Sequence, residues 1–264
     1  MTATTMTMTT TMTTTARAGY REAVWFEWTK FRTARSTMLT AAALAVALPV
    51  MALIVAATES LQPDDTVLGA SVLGGAVLAQ LAAAALGALV VTSEFRTGMI
   101  RTTLTACPRP LVVLAAKATV VGGVVFVATL PAATGALAVG RSMLDDSYAT
   151  GDPFPALLGV ALAITAIGVL GVGLGTVVRH SAGAMAGVVA LVLLPAFVAP
   201  LLGGAQRWVG GASLDGVLQK LTQSSDATPE TVGSLGAWPS LLVVAAYTTV
   251  AVAGAVWVLR RRDT

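Results

Sequence analysis

PALLGVALAITAIGVLGVGLGTVV, residues Pro155–Val178, runs through 24 positions without one charged side chain. Wound as an α-helix at 1.5 Å per residue it reaches about 36 Å, enough to cross the roughly 30 Å hydrocarbon layer of a bilayer. Five more runs, each uncharged through its middle, read the same way: Thr37–Ala57, Val67–Val91, Leu111–Gly140, Gly183–Leu202 and Trp238–Leu259. The chain has 264 residues, of which 56% are hydrophobic and only 11% charged, too few polar groups to cover six apolar helices in water. In lipid such helices need no cover, because each satisfies its own backbone hydrogen bonds. The expected fold is therefore an all-α integral membrane protein with six transmembrane helices.

Charge placement sets the expected orientation. Arg17, Arg21, Lys30, Arg32 and Arg35 precede the first span. Arg96, Arg101, Arg109 and Lys117 lie between or flank spans two and three. Arg179 separates spans four and five, and Arg260, Arg261 and Arg262 follow span six. With the N-terminus in the cytoplasm all thirteen face inward, leaving Arg141, Arg207 and Lys220 outside. The positive-inside rule then puts both termini in the cytoplasm. The acidic residues agree: Glu59, Asp64, Asp65, Asp145, Asp146, Asp152, Asp215, Asp226 and Glu230 fall on the outer side. Basicity thus reads as topology and not as nucleic-acid binding. Cys107 is the sole cysteine and His180 the sole histidine, which argues against a disulfide framework, a thiolate metal cluster or a histidine-based triad.

The chain divides into three parts. Residues 1–19, MTATTMTMTTTMTTTARAG, are Thr and Met of low complexity without the apolar core of a secretory signal, and read as a disordered cytoplasmic tail. Residues 20–36 read as an amphipathic helix. Tyr20, Val24, Trp28 and Phe31 recur at helical spacing with Trp25 beside them, while Arg21, Glu22, Lys30 and Arg32 take the other side. A helix of this kind lies in the headgroup layer, either as a simple anchoring flank or as an elbow joined to moving parts. Residues 37–264 form the six-helix domain.

Within it, span two is rich in Gly and Ala, and Gly171-x-x-x-Gly175 and Gly183-x-x-x-Gly187 repeat the small-residue pattern by which lipid-embedded helices approach closely. Pro131 and Pro195 lie inside spans, as static kinks or as hinges. The outer connection 203–237 contains SLDGVLQKLTQ, whose Leu214, Val217, Leu218 and Leu221 predict a short helix on or in the outer leaflet.

One connection has specific content: SEFRTGMIRTTLTACPRP, Ser93–Pro110. Ser93 or Thr92 is placed to cap a short helix with Glu94 in its first turn. Phe95, Met99, Ile100 and Leu104 would form an apolar face flanked by Arg96 and Arg101, and Pro108 and Pro110 would end the element. The stripe reads either as a surface that docks into a groove on another protein or as a basic loop against lipid headgroups.

Glu94-Phe-Arg-Thr-Gly98-Met-Ile-Arg101-Thr-Thr-Leu104, followed by Pro108-Arg109 and Lys117, resembles the cytoplasmic coupling segment of bacterial ABC-2 type transporter permeases. Glu27-Trp28-Thr29-Lys30-Phe31-Arg32-Thr33 resembles their pre-membrane segment, above all in actinobacterial members. The resemblance implies the membrane half of an exporter in the bacterial cytoplasmic membrane. It would be paired with a separate ABC ATP-binding subunit and a second permease copy, and surrounded by membrane lipids. It assigns coupling to Glu94, Phe95, Arg96, Thr97, Gly98, Met99, Ile100, Arg101 and Leu104, and the interfacial elbow to Tyr20, Val24, Trp25, Glu27, Trp28, Lys30 and Phe31. It places the outer gate in 203–237.

No Gly-x-x-x-x-Gly-Lys-Ser/Thr occurs, so ATP and Mg²⁺ would sit on the partner and this chain would be a transport subunit without an enzyme site of its own. Span interiors lacking Asp, Glu, Arg and His, with Lys117 near an edge, argue for energy supplied from outside. The apolar, Gly- and Ala-rich interior suits lipids, drugs or natural products as cargo. The competing expectations are a six-span secondary transporter or channel, and a membrane-embedded enzyme or structural protein.

Overall fold

The computed structural model describes residues 19–58, 64–107, 109–144 and 147–262, and among these it contains helices and no strand. The Thr/Met tail, apart from Gly19, and Glu59, Asp145, Asp146 and Pro108 lie outside the described residues. Helix α1 (Tyr20–Thr33) precedes α2 (Arg35–Thr58), α3 (Val67–Thr97), the short α4 (Met99–Ala106), α5 (Pro110–Met143) and α6 (Pro153–Val178). Then come α7 (Ser181–Val198), a 3₁₀ segment (Ala199–Ala205), α8 (Gln206–Ala212), α9 (Leu214–Leu221) and α10 (Ala237–Arg262). Six helical stretches are long and apolar enough to cross a membrane: α2, α3, α5, α6, α10 and the run from α7 through α8. They agree with the six runs expected from the sequence and extend beyond several of the expected edges.

The surface is inverted relative to a protein in water. Leu39, Val127, Phe197, Leu242 and Val250 are exposed on the spans, while Lys117, Glu94, Glu27 and Gln80 are buried. Exposed apolar surface of this extent is what hydrocarbon requires.

Helices α3 and α6 form the centre. Their contact needs glycine: a Cβ on Gly87 would collide with the carbonyl oxygen of Gly168, and one on Gly171 would come within 2.6 Å of the carbonyl oxygen of Ala84. Gly175 lies against Ala88, and Gly75 approaches the α2 backbone at Leu48. The other expected seam is not made within this chain, because Gly187 faces open space and Gly183 meets only Val178 and His180 side chains.

Two ends of the bundle are distinct. At one, Gly140 packs on Ser71, the N–H of Val67 donates to the carbonyl of Ala149 (2.9 Å), and Thr66 Oγ1 donates to the carbonyl of Thr222 (3.3 Å). Helix α9 closes this end. Ser213 Oγ accepts from the N–H of Gly216 (2.9 Å) as its cap, and Leu214, Val217, Leu218 and Leu221 are all buried. The expected helix is present, but its apolar face packs on the bundle, with Leu221 over Gly159 of α6. At the other end lie α1, α4 and the contact of the Arg179 guanidinium with the Phe95 ring, 5.0 Å from its centroid.

The connection between spans two and three departs from expectation. Helix α3 continues unbroken through Thr97, and Glu94 belongs to its last turn, not to the first turn of a new helix. Thr92 and Ser93 do not cap; their hydroxyls donate to the carbonyls of Ala88 and Val90 within α3. Nothing from Thr92 to Thr97 breaks a helix, and the stop is Gly98, whose φ of 72° is a left-handed conformation that glycine adopts at no steric cost.

Candidate functional site

Four charged side chains from three helices meet at the α1/α4 end. A helical α1 puts Glu27 and Lys30 three residues apart on one face, and Lys30 Nζ lies 3.0 Å from Glu27 Oε1. The extension of α3 carries Glu94 to the same place, where its Oε1 contacts Lys30 Nζ. Helix α5, opened by Pro110 in its first turn, delivers Lys117. Its Nζ is 2.8 Å from Glu27 Oε2 and 2.5 Å from Glu94 Oε1. Each carboxylate thus faces both ammonium groups, and the four formal charges cancel.

Burial makes this arrangement compulsory. The Lys117 side chain is 1% exposed and those of Glu27 and Glu94 are each 4% exposed. A lone buried ammonium would carry a desolvation cost of several kcal/mol, and two carboxylates compensate it here. Glu94 Oε2 has no hydrogen-bond partner among the described residues, so the compensation is incomplete. Lys30 is the outermost member, with its ammonium 4.8 Å from the centroid of the Phe26 ring. Burial pulls the Lys30 pKa down, but the Glu27 and Glu94 carboxylates more than offset this and hold it above its ordinary value of 10.5.

Other contacts seat α1. Tyr20 Oη and Thr119 Oγ1 share a hydrogen bond of 2.6 Å to α5. Phe31 is buried, stacked on Trp28 at 6.0 Å. Val24 packs against the core, whereas Trp25 is exposed along with Phe26. The inward face of α1 therefore holds Glu27 and Phe31, while Trp25 is exposed at 69%. Sequence periodicity had put the charges on one side and the aromatics on the other without locating Glu27 on the buried side.

The nine residues of the expected coupling segment separate into two groups. Glu94 is part of the charge cluster, and Phe95 is half-buried beneath Arg179. Arg96 and Thr97 are exposed at the end of α3, Thr97 Oγ1 donating back to the Ser93 carbonyl (2.9 Å). Beyond Gly98, Met99 is exposed and Ile100 half-buried on α4. Arg101 and Leu104 are in α4, but their side chains lie outside the described residues.

The ionisable groups that the long helices bring here lie toward their ends, as expected for Lys117; what the sequence did not show is that they are buried and paired. Lys117 is eight residues into α5 and fully buried, and Glu94 lies within α3. A lone lysine inside an apolar run, with Glu27 and Glu94 beside two preceding spans, was the signal that could have found this pairing. Among the described residues no group of His, Cys, Asp and Glu could hold a metal ion. The cluster ties α1, α3 and α5 together. No protein-family model and no curated protein matches the chain.

Proposed function

We propose that the chain is the membrane-spanning permease subunit of an ATP-driven exporter of the ABC-2 type. The observation that carries this reading is α4. It is an eight-residue helix outside the spans, held between Gly98 and Cys107, with exposed Met99 and the exposed Arg96 and Arg109 nearby. A short amphipathic helix on the basic end of an otherwise apolar bundle suits insertion into a groove of a soluble partner. In this reading α1 is the interfacial elbow, its Trp25 in the lipid boundary. Both termini are cytoplasmic, and the membrane is the bacterial cytoplasmic membrane. The ATP-binding subunit carries ATP and Mg²⁺, and a second permease copy completes the path for a lipid, drug or natural product.

The charge cluster supports the same reading mechanically. Glu94 is five residues before Met99, so a push on α4 reaches α1 and α5 through Lys117 as well as through the backbone of α3. The decisive experiment is co-purification with an ATP-binding subunit encoded beside this gene, comparing the parent chain with Ile100→Glu. Loss of complex formation or of ATP-dependent export, with normal membrane insertion, supports the reading. A variant that keeps both contradicts it.

The buried ionisable groups also favour a second reading, a secondary transporter. Its cluster, however, sits at one end of the bundle and is internally neutralised, whereas ion-coupled carriers place such groups on a pathway. Transport that survives ATP depletion but stops when the proton gradient is collapsed would select this reading instead.

A further inference from the structure

A cavity of about 380 Å³ separates α1 from α4, next to the charge cluster but not filled by it. Phe26, Met99, Cys107 and Val113 give it an apolar wall. Its size falls within the roughly 300–1,000 Å³ of small-molecule sites. Among the described residues the charged side chains lining it are both carboxylates, Glu22 and Glu27, although this end of the bundle is otherwise rich in cations. Glu27 is already engaged by Lys30 and Lys117. Glu22, in the first turn of α1, is exposed and has no ion pair among the described residues. It is the lining carboxylate whose charge remains available to a ligand.

We propose that this cavity binds an amphipathic ammonium compound, its hydrocarbon part against Phe26, Met99, Cys107 and Val113 and its ammonium at Glu22. An anionic amphiphile would bring like charge to two carboxylates. An uncharged one would gain the apolar contact alone. An ammonium donates a charge-assisted hydrogen bond to Glu22, stronger than the neutral one an alcohol can donate, and a carboxylate ligand meets repulsion instead. The inference rests on the cavity and its lining, and it holds whether or not the chain is a permease.

Cys107 provides the readout, because it is the sole cysteine and stands in the cavity wall. The full chain in lipid nanodiscs is treated with N-ethylmaleimide in the presence of n-octylammonium, 1-octanol or octanoate, each at equal membrane-bound concentration. Octylammonium is expected to slow alkylation at a concentration about tenfold lower than octanol, since a tenfold change corresponds to about 1.4 kcal/mol, with octanoate weakest. Glu22→Gln should remove the advantage of the ammonium over the alcohol. Equal protection by all three probes, protection by none, or an unchanged preference in Glu22→Gln would each overturn the proposal. Should Cys107 resist alkylation without any probe, an octylammonium carrying a photoreactive diazirine replaces the assay. Crosslinks within 22–27 or 99–113 that are displaced by octylammonium support the site, and crosslinks found only elsewhere overturn it.

Discussion

Lys117 Nζ lies 2.8 Å from Glu27 Oε2, although the two residues are 90 positions apart and belong to different helices. Glu94, from a third helix, meets the same ammonium. A short helix outside the spans is thereby fastened to two of the spans by charge where most of the packing is apolar. Stability and any transmitted motion should both be sensitive to this one side chain.

Lys117→Met should be strongly destabilising. It leaves Glu27 and Glu94 buried with only Lys30 to answer them, and breaking a buried pair by removing one partner costs about 3–5 kcal/mol. Unfolding in mixed micelles should register this loss. Combining Lys117→Met with Glu94→Gln removes one unanswered carboxylate as well and should recover part of it; a double variant no more stable than the single would contradict the pairing.

The glycines of the α3–α6 contact are predicted to be unequal to those of α7. Gly87→Ala drives a methyl group into the backbone of Gly168, and either the helices separate or the fold is lost. Gly187→Ala meets nothing within 4 Å and should be neutral or stabilising, by up to about 1 kcal/mol, because alanine is the better helix former. Thermal melts of the two variants side by side distinguish these outcomes.

Gly98→Val tests the stop between α3 and α4. An added Cβ has no neighbour within 4 Å, so the left-handed backbone is the main opposition, at a cost of about 1–2 kcal/mol. Amide exchange in Met99–Ala106 should accelerate while that in the centre of α3 stays slow. Unchanged exchange in α4 would show that the conformation at Gly98 is not what sets its position.

Asp215 in α9 gives a pH signature. Burial raises its pKa above the ordinary 3.8, and the hydrogen bond from Gln219 Nε2 only partly opposes the shift. A carboxyl group whose native pKa is raised weakens the fold when ionised, and this penalty fades as pH falls through the raised value to below about 3.8. Asp215→Asn should therefore be more stable than the parent at pH 7 and no more stable at pH 3, as read by unfolding of α9 in hydrogen exchange.

The six spans were legible because an uncharged run of sufficient length has few other stable solutions, and α9 was legible from its four apolar positions. What escaped the sequence was decided between elements. Ser93 and Glu94 have the chemistry of a helix start, yet α3 absorbs them because Lys117 rewards Glu94 for staying in the helix. Lys117 sits near the beginning of a span, so length alone made it an edge residue; only the docking of α1 across α5, fixed by Tyr20 and Thr119, shows it covered. Gly183 and Gly187 carry the same spacing as Gly171 and Gly175, but spacing does not say which helix, if any, lies opposite.

The charge cluster is also completed in a fixed order, set by the direction of the chain. Synthesis delivers Glu27 and Lys30 first, Glu94 next and Lys117 last, so the growing chain holds a net surplus of one negative charge at this spot until α5 arrives. That surplus draws the late lysine into a site that already has its counter-charges, and α5 need never enter the lipid with a solitary cation. Before Lys117 emerges, α1 is joined to α3 by Lys30 and Glu94 alone, and the tie becomes complete only when α5 is in place.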